Sequence, residues 1–391
     1  MKAIQFRVPR LYYDAFHPTI HFQIPSSSLS LPKPMISRYS IVQSHHPNFT
    51  ISYLIDSCGL SPDTAALTSQ KLHLPSAERP NSILTLLREH GFTDTQISNL
   101  IRKCPLLLLV NPDILLPKFQ FFLSIGISNT NLARTLTADP TLLTWSLEKQ
   151  IIPSYNFLKS VLISDEKVAA SLKRTSWVFL EDHKKNLVPN LNLLKEMDVP
   201  ESCVMLLLTH FPEALMQKKE NFAKLSKEIK EMGFNPKKTT FVLAIHVLSG
   251  EGNKSIYNRC CEVYKRWGWS DDDILMAFKK HPLCMILSED KIMKTMDYLV
   301  NKMSWPSGMI VRCPVVLFFS LEKRIKPRCS VAKVLLMKGL IKRKLSLSTL
   351  LLPDEDSFLE KYVIKYELQV KGGGTRIQRC SCSINATDLG R

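Results

Sequence analysis

Lysine and arginine return at two fixed positions of a sequence pattern that repeats about every 35 residues. Each repeat is aligned on an anchor residue, and the anchors are Pro105, Pro140, Ser176, Pro212, Val247, Pro282 and Pro314. The first column of cations lies two or three residues before an anchor and comprises Arg102, Lys103, Lys173, Arg174, Lys279, Lys280 and Arg312. The second column lies nine or ten residues after an anchor and comprises Lys149, Lys185, Lys291, Lys323 and Arg324. Ammonium and guanidinium groups at these positions could bind the phosphates of a nucleic acid.

A cation that recurs once per structural repeat lies along one stripe of a repeat array, so both columns predict contacts with a phosphate backbone. Such contacts position a nucleic acid but do not read its sequence, which requires side chains at the base edges. The alternative is that these cations are solvated at helix ends, where they stabilise the helix dipole. The sequence leaves both interpretations open.

The net charge also points to a polyanionic partner. The chain has 391 residues and a formal net charge of +17. Residues 1–50 hold five basic residues and one acidic residue, which leaves 47 basic and 34 acidic residues, or +13, for residues 51–391. The excess therefore belongs to the repeats as well as to the N-terminal segment, and it favours nucleic acid as the partner.

The residues around each anchor predict short helical pieces. An anchor proline breaks a helix because it lacks an N–H group and forces its predecessor out of the α region. Apolar residues follow two and three positions later, as in Leu107 and Leu108, and predict a buried turn. About 21 residues after an anchor, a glycine such as Gly126 precedes a capping residue, which predicts the end of one helix and the start of the next.

A second proline often lies 12 or 13 residues after the anchor, and we expect it in the first turn of another helix. These prolines are Pro117, Pro153, Pro189 and Pro327. Each repeat should thus contain two longer helices and one short helical piece. The predicted fold class is all-α, a curved solenoid of about seven to eight repeats. Because Ser176 and Val247 replace the anchor proline, softer helix breaks are expected there.

The repeats resemble the mitochondrial transcription termination factor (mTERF) family, in the form abundant in plants. Segments that carry the resemblance include FTISYLIDSCGLSP at 49–62, ILTLLREHGFTDTQISNLIRKCPLLLL at 83–109 and CPVVLFFSLEKRIKPRCSVAKVLLMKGL at 313–340. It covers roughly residues 49–370. The resemblance implies a right-handed α-solenoid shaped like a half-doughnut, with nucleic acid on its basic concave face. It also implies a role in organellar transcription, RNA splicing or ribosome biogenesis.

Double-stranded DNA is the expected partner, bound by a monomer that terminates or regulates transcription. The alternatives are an organellar RNA-binding factor in splicing or ribosome biogenesis, and a scaffold that holds another protein. No enzyme, metal or cofactor is expected, because phosphate-binding glycine loops, nucleophile motifs and zinc spacings of cysteine and histidine are missing from the sequence. No apolar run is long enough to predict a membrane span.

The two ends differ from the repeats in composition. Residues 1–48 are nearly free of acid, rich in serine and spaced with arginine and lysine, which is typical of an organellar transit peptide. The alternative is a disordered basic tail. Mitochondrion is the expected location, with chloroplast as the alternative. Residues 49–370 form the expected solenoid, and the glycine-rich segment 371–391 is expected to be a disordered, atypical tail.

Several other residues that could act chemically are expected to serve the core instead. Cys104, Cys284 and Cys313 occupy apolar positions of the repeats and predict reduced core cysteines. His281 occupies the same position as two of them. Trp267 and Trp269 flank a turn, and packing between repeats is favoured over stacking on bases.

Overall fold

The computed structural model describes residues 47–180, 183, 185–341 and 345–371. The regular elements of these residues are all helical, as the sequence predicts. The described residues fall into two compact units, the N-terminal unit (47–254) and the C-terminal unit (255–371). Of the predicted end segments 1–48 and 371–391, residues 1–46 and 372–391 lie outside the described residues.

Each repeat begins with a helix that leads to the anchor, called the first helix below. Repeats 1 to 7 are numbered in the order of their anchors, from Pro105 to Pro314. The seven first helices are Asp94–Lys103, Asn129–Ala138, Asp165–Arg174, Glu201–His210, Thr239–Leu248, Asp271–Lys280 and Ser307–Arg312. Five of these, in repeats 1, 2, 3, 5 and 6, follow a residue that has an extended backbone, and Ser270 completes a capping box with Asp273.

A short helical turn, the anchor turn, follows most first helices. The anchor turns are Pro105–Leu109, Thr141–Thr144, Trp177–Leu180, Pro212–Leu215, Pro282–Ile286 and Pro314–Phe318. The residue before the anchor leaves the helical region, as at Cys104 with φ −137° and His281 with φ −151°, because the proline ring excludes the α conformation. The apolar pairs after the anchor are buried, which confirms their predicted place in the core.

A second helix completes each repeat. The second helices are Pro112–Ser124, Leu147–Ile151 continuing as Ile152–Leu162, Leu187–Glu196, Lys219–Glu231, Gly250–Lys265, Glu289–Met296 continuing as Asp297–Lys302, and Leu321–Ile325 continuing as Lys326–Met337. Four of them begin after a side-chain cap six residues beyond the anchor. The caps are Asn111, Ser146, Ser288 and Ser320, whose side chains accept main-chain N–H bonds.

The predicted place of the second proline, in the first turn of an α-helix, is correct for Pro153, Pro189 and Pro327. The prediction is wrong for Pro117, because its helix, Pro112–Ser124, begins five residues earlier. Before Pro153 and Pro327, one wider π-helical turn precedes the proline, so the helix continues past a residue that cannot donate a hydrogen bond.

The two anchors that are not proline behave differently from each other. At Ser176 the first helix still ends at Arg174, and the Ser176 hydroxyl donates to Asp139 Oδ2 at 2.5 Å. The expectation of a softer helix break at Ser176 is therefore wrong. At Val247 the first helix continues to Leu248, and Gly250–Lys265 begins almost at once. The described residues of repeat 5 thus lack an anchor turn, because nothing at position 247 forces the chain out of the helix.

Turns between repeats use left-handed backbone, as predicted from the glycines. Gly126 has φ +86°, and the same conformation is adopted by Asp198 with φ +55° where the sequence lacks glycine. Two further turns place Ile163 and Ser304 in this region. These residues end the second helices and direct the chain into the next repeat.

Additional helices flank the seven repeats. Pro47–Asp56, Pro62–Ser69 and Glu78–Glu89 precede repeat 1, and Leu347–Leu351, Glu355–Phe358, Leu359–Val363, Ile364–Tyr366 and Glu367–Lys371 follow repeat 7. Throughout the described residues, each helix is too short or too polar to span a membrane.

Candidate nucleic-acid interface

The first column of cations lies in the last turn of the first helices. Arg102 and Lys103 end the first helix of repeat 1, and Lys279 and Lys280 end that of repeat 6. The carbonyl groups of a last helical turn have no partners within the helix, and together they present negative charge. Stabilisation of helix ends is therefore sufficient to explain why cations occur in this column.

Three residues of the first column bind the next repeat directly. Lys103 Nζ donates to the carbonyls of Thr137 at 2.8 Å and Ala138 at 2.7 Å. Arg174 Nε donates to the carbonyl of His210 at 3.0 Å, and Lys280 Nζ to that of Arg312 at 3.0 Å. Each acceptor lies at the end of the following first helix. These three cations hold successive first helices together, and part of their hydrogen-bonding capacity is used within the protein.

The second column lies at the opposite kind of helix end. Lys149, Lys291 and Lys323 are third residues of their second helices, and their main-chain N–H groups bond to the capping serines. Lys185 precedes the second helix of repeat 3 by two residues. A cation in a first helical turn opposes the helix dipole and destabilises the helix slightly. The helix-end interpretation therefore fails for the second column, and another role is needed.

Two members of the second column are bound within the protein. Lys291 Nζ donates to the carbonyl of Phe318 at 3.0 Å, and burial lowers the pKa of Lys291. Arg324 donates to the carbonyls of Leu351 at 3.0 Å, Leu352 at 3.1 Å and Pro353 at 2.6 Å. Burial and the nearby Arg328 lower the pKa of Arg324. These two residues also connect one repeat to the next helix pair.

The twelve candidates thus form two groups. The carbonyl-bound cations are Lys103, Arg174, Lys280, Lys291 and Arg324. The open cations are Arg102, Lys149, Lys173, Lys185, Lys279, Arg312 and Lys323, of which Lys279 is half-buried and the others are exposed. Among the described residues, no carboxylate forms an ion pair with any of the twelve. The open cations are therefore available to an external anion.

A third polar column escaped the sequence interpretation. The residue after each second proline is buried and donates to a carbonyl of the following repeat or helix pair. The bonds are Lys118 to Leu143 at 2.5 Å, Ser154 to Phe179 at 2.9 Å, Asn190 to Leu215 at 2.9 Å, and Arg328 to Pro353 at 2.6 Å. The sequence signal for this column was a polar residue directly after each of the four prolines Pro117, Pro153, Pro189 and Pro327. Its meaning depended on the acceptor carbonyl about 25 residues later, which only the packing reveals.

The tryptophans are used for packing, as expected. Trp269 is buried, stacks on Tyr264 with ring centroids 4.4 Å apart, and donates from Nε1 to Ser307 Oγ at 2.6 Å. Trp267 Nε1 contacts the sulfur of Met293 at 3.3 Å. Both rings therefore join repeats within the C-terminal unit.

The predicted core histidine and cysteines are also confirmed as packed residues. His281 is buried and stacks on Phe318 at 4.5 Å. Cys284 is fully buried, and Cys104 and Cys313 are half-buried free thiols. Burial raises the pKa of all three thiols, which keeps them protonated. Among the described residues, no three His, Cys, Asp or Glu side chains are grouped as metal ligands.

Comparison with known proteins matches these repeats to one family. The sequence model of the mTERF family matches residues 84–246 and 210–359. The chain is also similar to the mitochondrial transcription termination factor MTERF15 of Arabidopsis thaliana, with 22% identity over 300 residues. That alignment covers 73% of this chain and 56% of the relative, so the chain spans about half the length of the curated relative that it matches. Because the family model extends over more than half of the sequence, this chain belongs to the mTERF family.

Proposed function

We propose that this protein binds double-stranded DNA in an organelle through its open cations and thereby terminates or regulates transcription. It acts by occupying the DNA and catalyses no reaction. The observation that carries the proposal is the second column, where Lys149 and Lys323 occupy first helical turns that disfavour cations. Family membership and the name of the Arabidopsis relative support a role in transcription.

A duplex is favoured over single-stranded RNA by the use of the aromatic side chains. Single-stranded nucleic acids are held by aromatic platforms on which bases stack. Trp267 and Trp269, the strongest candidates for such a platform, contact Met293 and Tyr264 instead. Cations in a column suit the regularly spaced phosphates of a duplex. RNA binding in splicing or ribosome biogenesis is the second candidate, because the backbone contacts would be the same.

The proposed location is the mitochondrion, with the chloroplast as the alternative. The proposal rests on the basic, serine-rich composition of residues 1–48 and on the mitochondrial name of the relative. Residues 1–48 would then be a transit peptide, 49–370 the nucleic-acid-binding repeats and 371–391 an atypical tail. We propose that the protein binds as a monomer.

Binding of the full chain to a DNA duplex of random sequence and to a matched RNA, across a salt series, tests the proposal. Seven phosphate contacts to duplex DNA predict a slope of about −6 in a plot of log affinity against log salt concentration. Tighter binding of the RNA at physiological salt would select the second candidate. Absence of salt-dependent binding to either nucleic acid would contradict the proposed function and favour the protein scaffold.

A further inference from the structure

Repeat 4 interrupts both cation columns. Its first helix ends with Thr209 and His210, where repeats 1, 3, 6 and 7 carry lysine or arginine. In its second helix, Asn221 and the fully buried Phe222 occupy the second-column positions. By the spacing that defines the columns, this repeat therefore supplies no cation.

The same repeat departs from the others at the cap of its second helix. Six residues after the anchor, repeats 1, 2, 6 and 7 carry an asparagine or serine whose side chain accepts an N–H bond. Repeat 4 carries Lys218 there, with an extended backbone of φ −56° and ψ 140° and no side-chain capping bond. A lysine side chain cannot accept that bond, so the helix lacks the stabilisation that a capping side chain provides. Lys219 follows as the first helical residue.

Lys218 and Lys219 share the environment of the open cations. Both side chains are exposed, and neither has an ion-pair or hydrogen-bond partner among the described residues. In repeats 2, 6 and 7 the side chain at the cap position accepts the main-chain N–H of the third helical residue, so the cap lies beside the second-column position. Lys218 can therefore supply a charge to the second column in repeat 4, as Lys149 does in repeat 2.

Two other lysines of the same helix form ion pairs within it. Lys224 lies 4.0 Å from Glu228 and Lys227 lies 3.8 Å from Glu231, both as pairs four residues apart. Such pairs are common on solvated helix faces and contribute little to stability. The absence of an ion pair among the described residues distinguishes Lys218 and Lys219 from Lys224 and Lys227.

We propose that Lys218 and Lys219 bind phosphate groups of the nucleic acid and continue the second column through repeat 4. This inference rests on the proposed function. It extends the candidate interface to the last repeat that lies entirely within the N-terminal unit. The binding role of Lys218 then explains why repeat 4 has no serine or asparagine at the cap position of its second helix.

The test compares salt slopes of the full-length protein with those of two double variants. In the first, Lys218→Ser and Lys219→Ser, the slope should become less negative by about 2, so affinity falls about tenfold less between 50 and 200 mM salt. Its melting temperature should stay the same or rise, because a serine hydroxyl at the cap position can accept the N–H bond that Lys218 cannot. The matched control, Lys224→Ser and Lys227→Ser, removes the same charge from the same helix and should keep the wild-type slope.

The outcomes separate this inference from the proposed function. The inference would be overturned if the Lys218 and Lys219 variant kept the wild-type salt slope, or if the salt slope changed equally in both variants. DNA binding by the wild-type protein would remain in either case. A Lys149→Gln variant with a less negative slope would show in that case that the second column binds DNA without repeat 4. Loss of binding in the wild-type protein would instead contradict the proposed function.

Discussion

The ammonium of Lys118 donates to the carbonyl of Leu143 at 2.5 Å, although these residues belong to different repeats and Lys118 is only 4% exposed. A lysine at this depth joins repeat 1 to the anchor turn of repeat 2. Ser154, Asn190 and Arg328 make the corresponding connections further along the chain. Polar groups thus have two separate uses in this protein, to join repeats and to face solvent.

Lys118 should make stability depend on pH in the alkaline range. Burial lowers its pKa in the folded protein to about 8, below the value of about 10.4 expected in the unfolded chain. Between these values the unfolded chain binds more protons at Lys118, so the contribution of Lys118 to the free energy of unfolding should rise with pH from about 8 to 10. Urea denaturation at pH 7.5 and 9.5 should therefore show a change in stability that is more favourable for wild type than for Lys118→Met. An equal change in both proteins would contradict this role of Lys118.

Arg328 should be important for stability and unimportant for binding. Its guanidinium donates to the carbonyls of Pro353 at 2.6 Å and Asp354 at 3.1 Å and to Glu355 at 2.8 Å. Arg328→Leu would leave these carbonyls without that donor and should destabilise the protein by about 1–3 kcal/mol. The matched variant Arg312→Leu changes an exposed open cation and should alter stability little. A larger loss of stability for Arg312→Leu would contradict the division of the cations into two groups.

Two buried histidines should make the protein sensitive to acid. Burial lowers the pKa of His246 to about 3 and that of His281 to about 4, below the unfolded value of about 6.5. The unfolded chain therefore binds more protons between about pH 4 and 6.5, and stability should fall as pH decreases through this range. His246 stacks on Phe211 at 3.9 Å, so His246→Phe keeps an aromatic ring there. Its denaturation midpoint should fall less than that of wild type between pH 7 and 5, and an equal fall would contradict this explanation.

Ile163 should be a site where glycine stabilises the fold. It ends the second helix of repeat 2 with φ +62° and its side chain is 68% exposed, so the strained backbone has little compensating burial. Ile163→Gly removes strain of about 1–2 kcal/mol but costs about 0.5–1 kcal/mol of additional chain entropy, for a net gain of roughly 0.5–1 kcal/mol. Ile163→Ala retains the strain and is the control. Melting temperatures of the two variants test this expectation: the value should rise for Ile163→Gly and not for Ile163→Ala. An equal change in both variants would show that backbone strain at Ile163 is not the cause.

Local signals made the fold predictable from the sequence. Pro105 breaks a helix and Gly126 ends one through backbone sterics alone, so their effects can be inferred without a structure. The position of Pro117 inside its helix was not predictable in this way. That helix begins at the cap Asn111, and proline was given too much weight as a helix start.

The sequence predicted the positions of the cations within the repeats, but not which cations bind the protein itself and which are open. Lys291 and Lys323 have the same spacing from their anchors, yet Lys291 donates to the carbonyl of Phe318 and Lys323 is exposed. The difference depends on which carbonyl the next repeat brings close to each side chain. Lys218 shows the converse, because a fixed spacing omits a lysine that lies one helical turn nearer the anchor. Contacts between repeats, which are distant in sequence, decide the case of Lys291 and Lys323.

The salt dependence of DNA binding by two variants with equal net charge tests the central claim most directly. One variant replaces the seven open cations with glutamine, and the control replaces the exposed lysines Lys224, Lys227, Lys230, Lys237, Lys238, Lys302 and Lys333. We predict that the first variant loses most of the salt slope, a change of about 6, while the control keeps the slope of the wild-type protein. Equal salt slopes for the two variants would show that DNA binding depends only on the net charge of the protein. That result would contradict the assignment of the open cations as the binding surface.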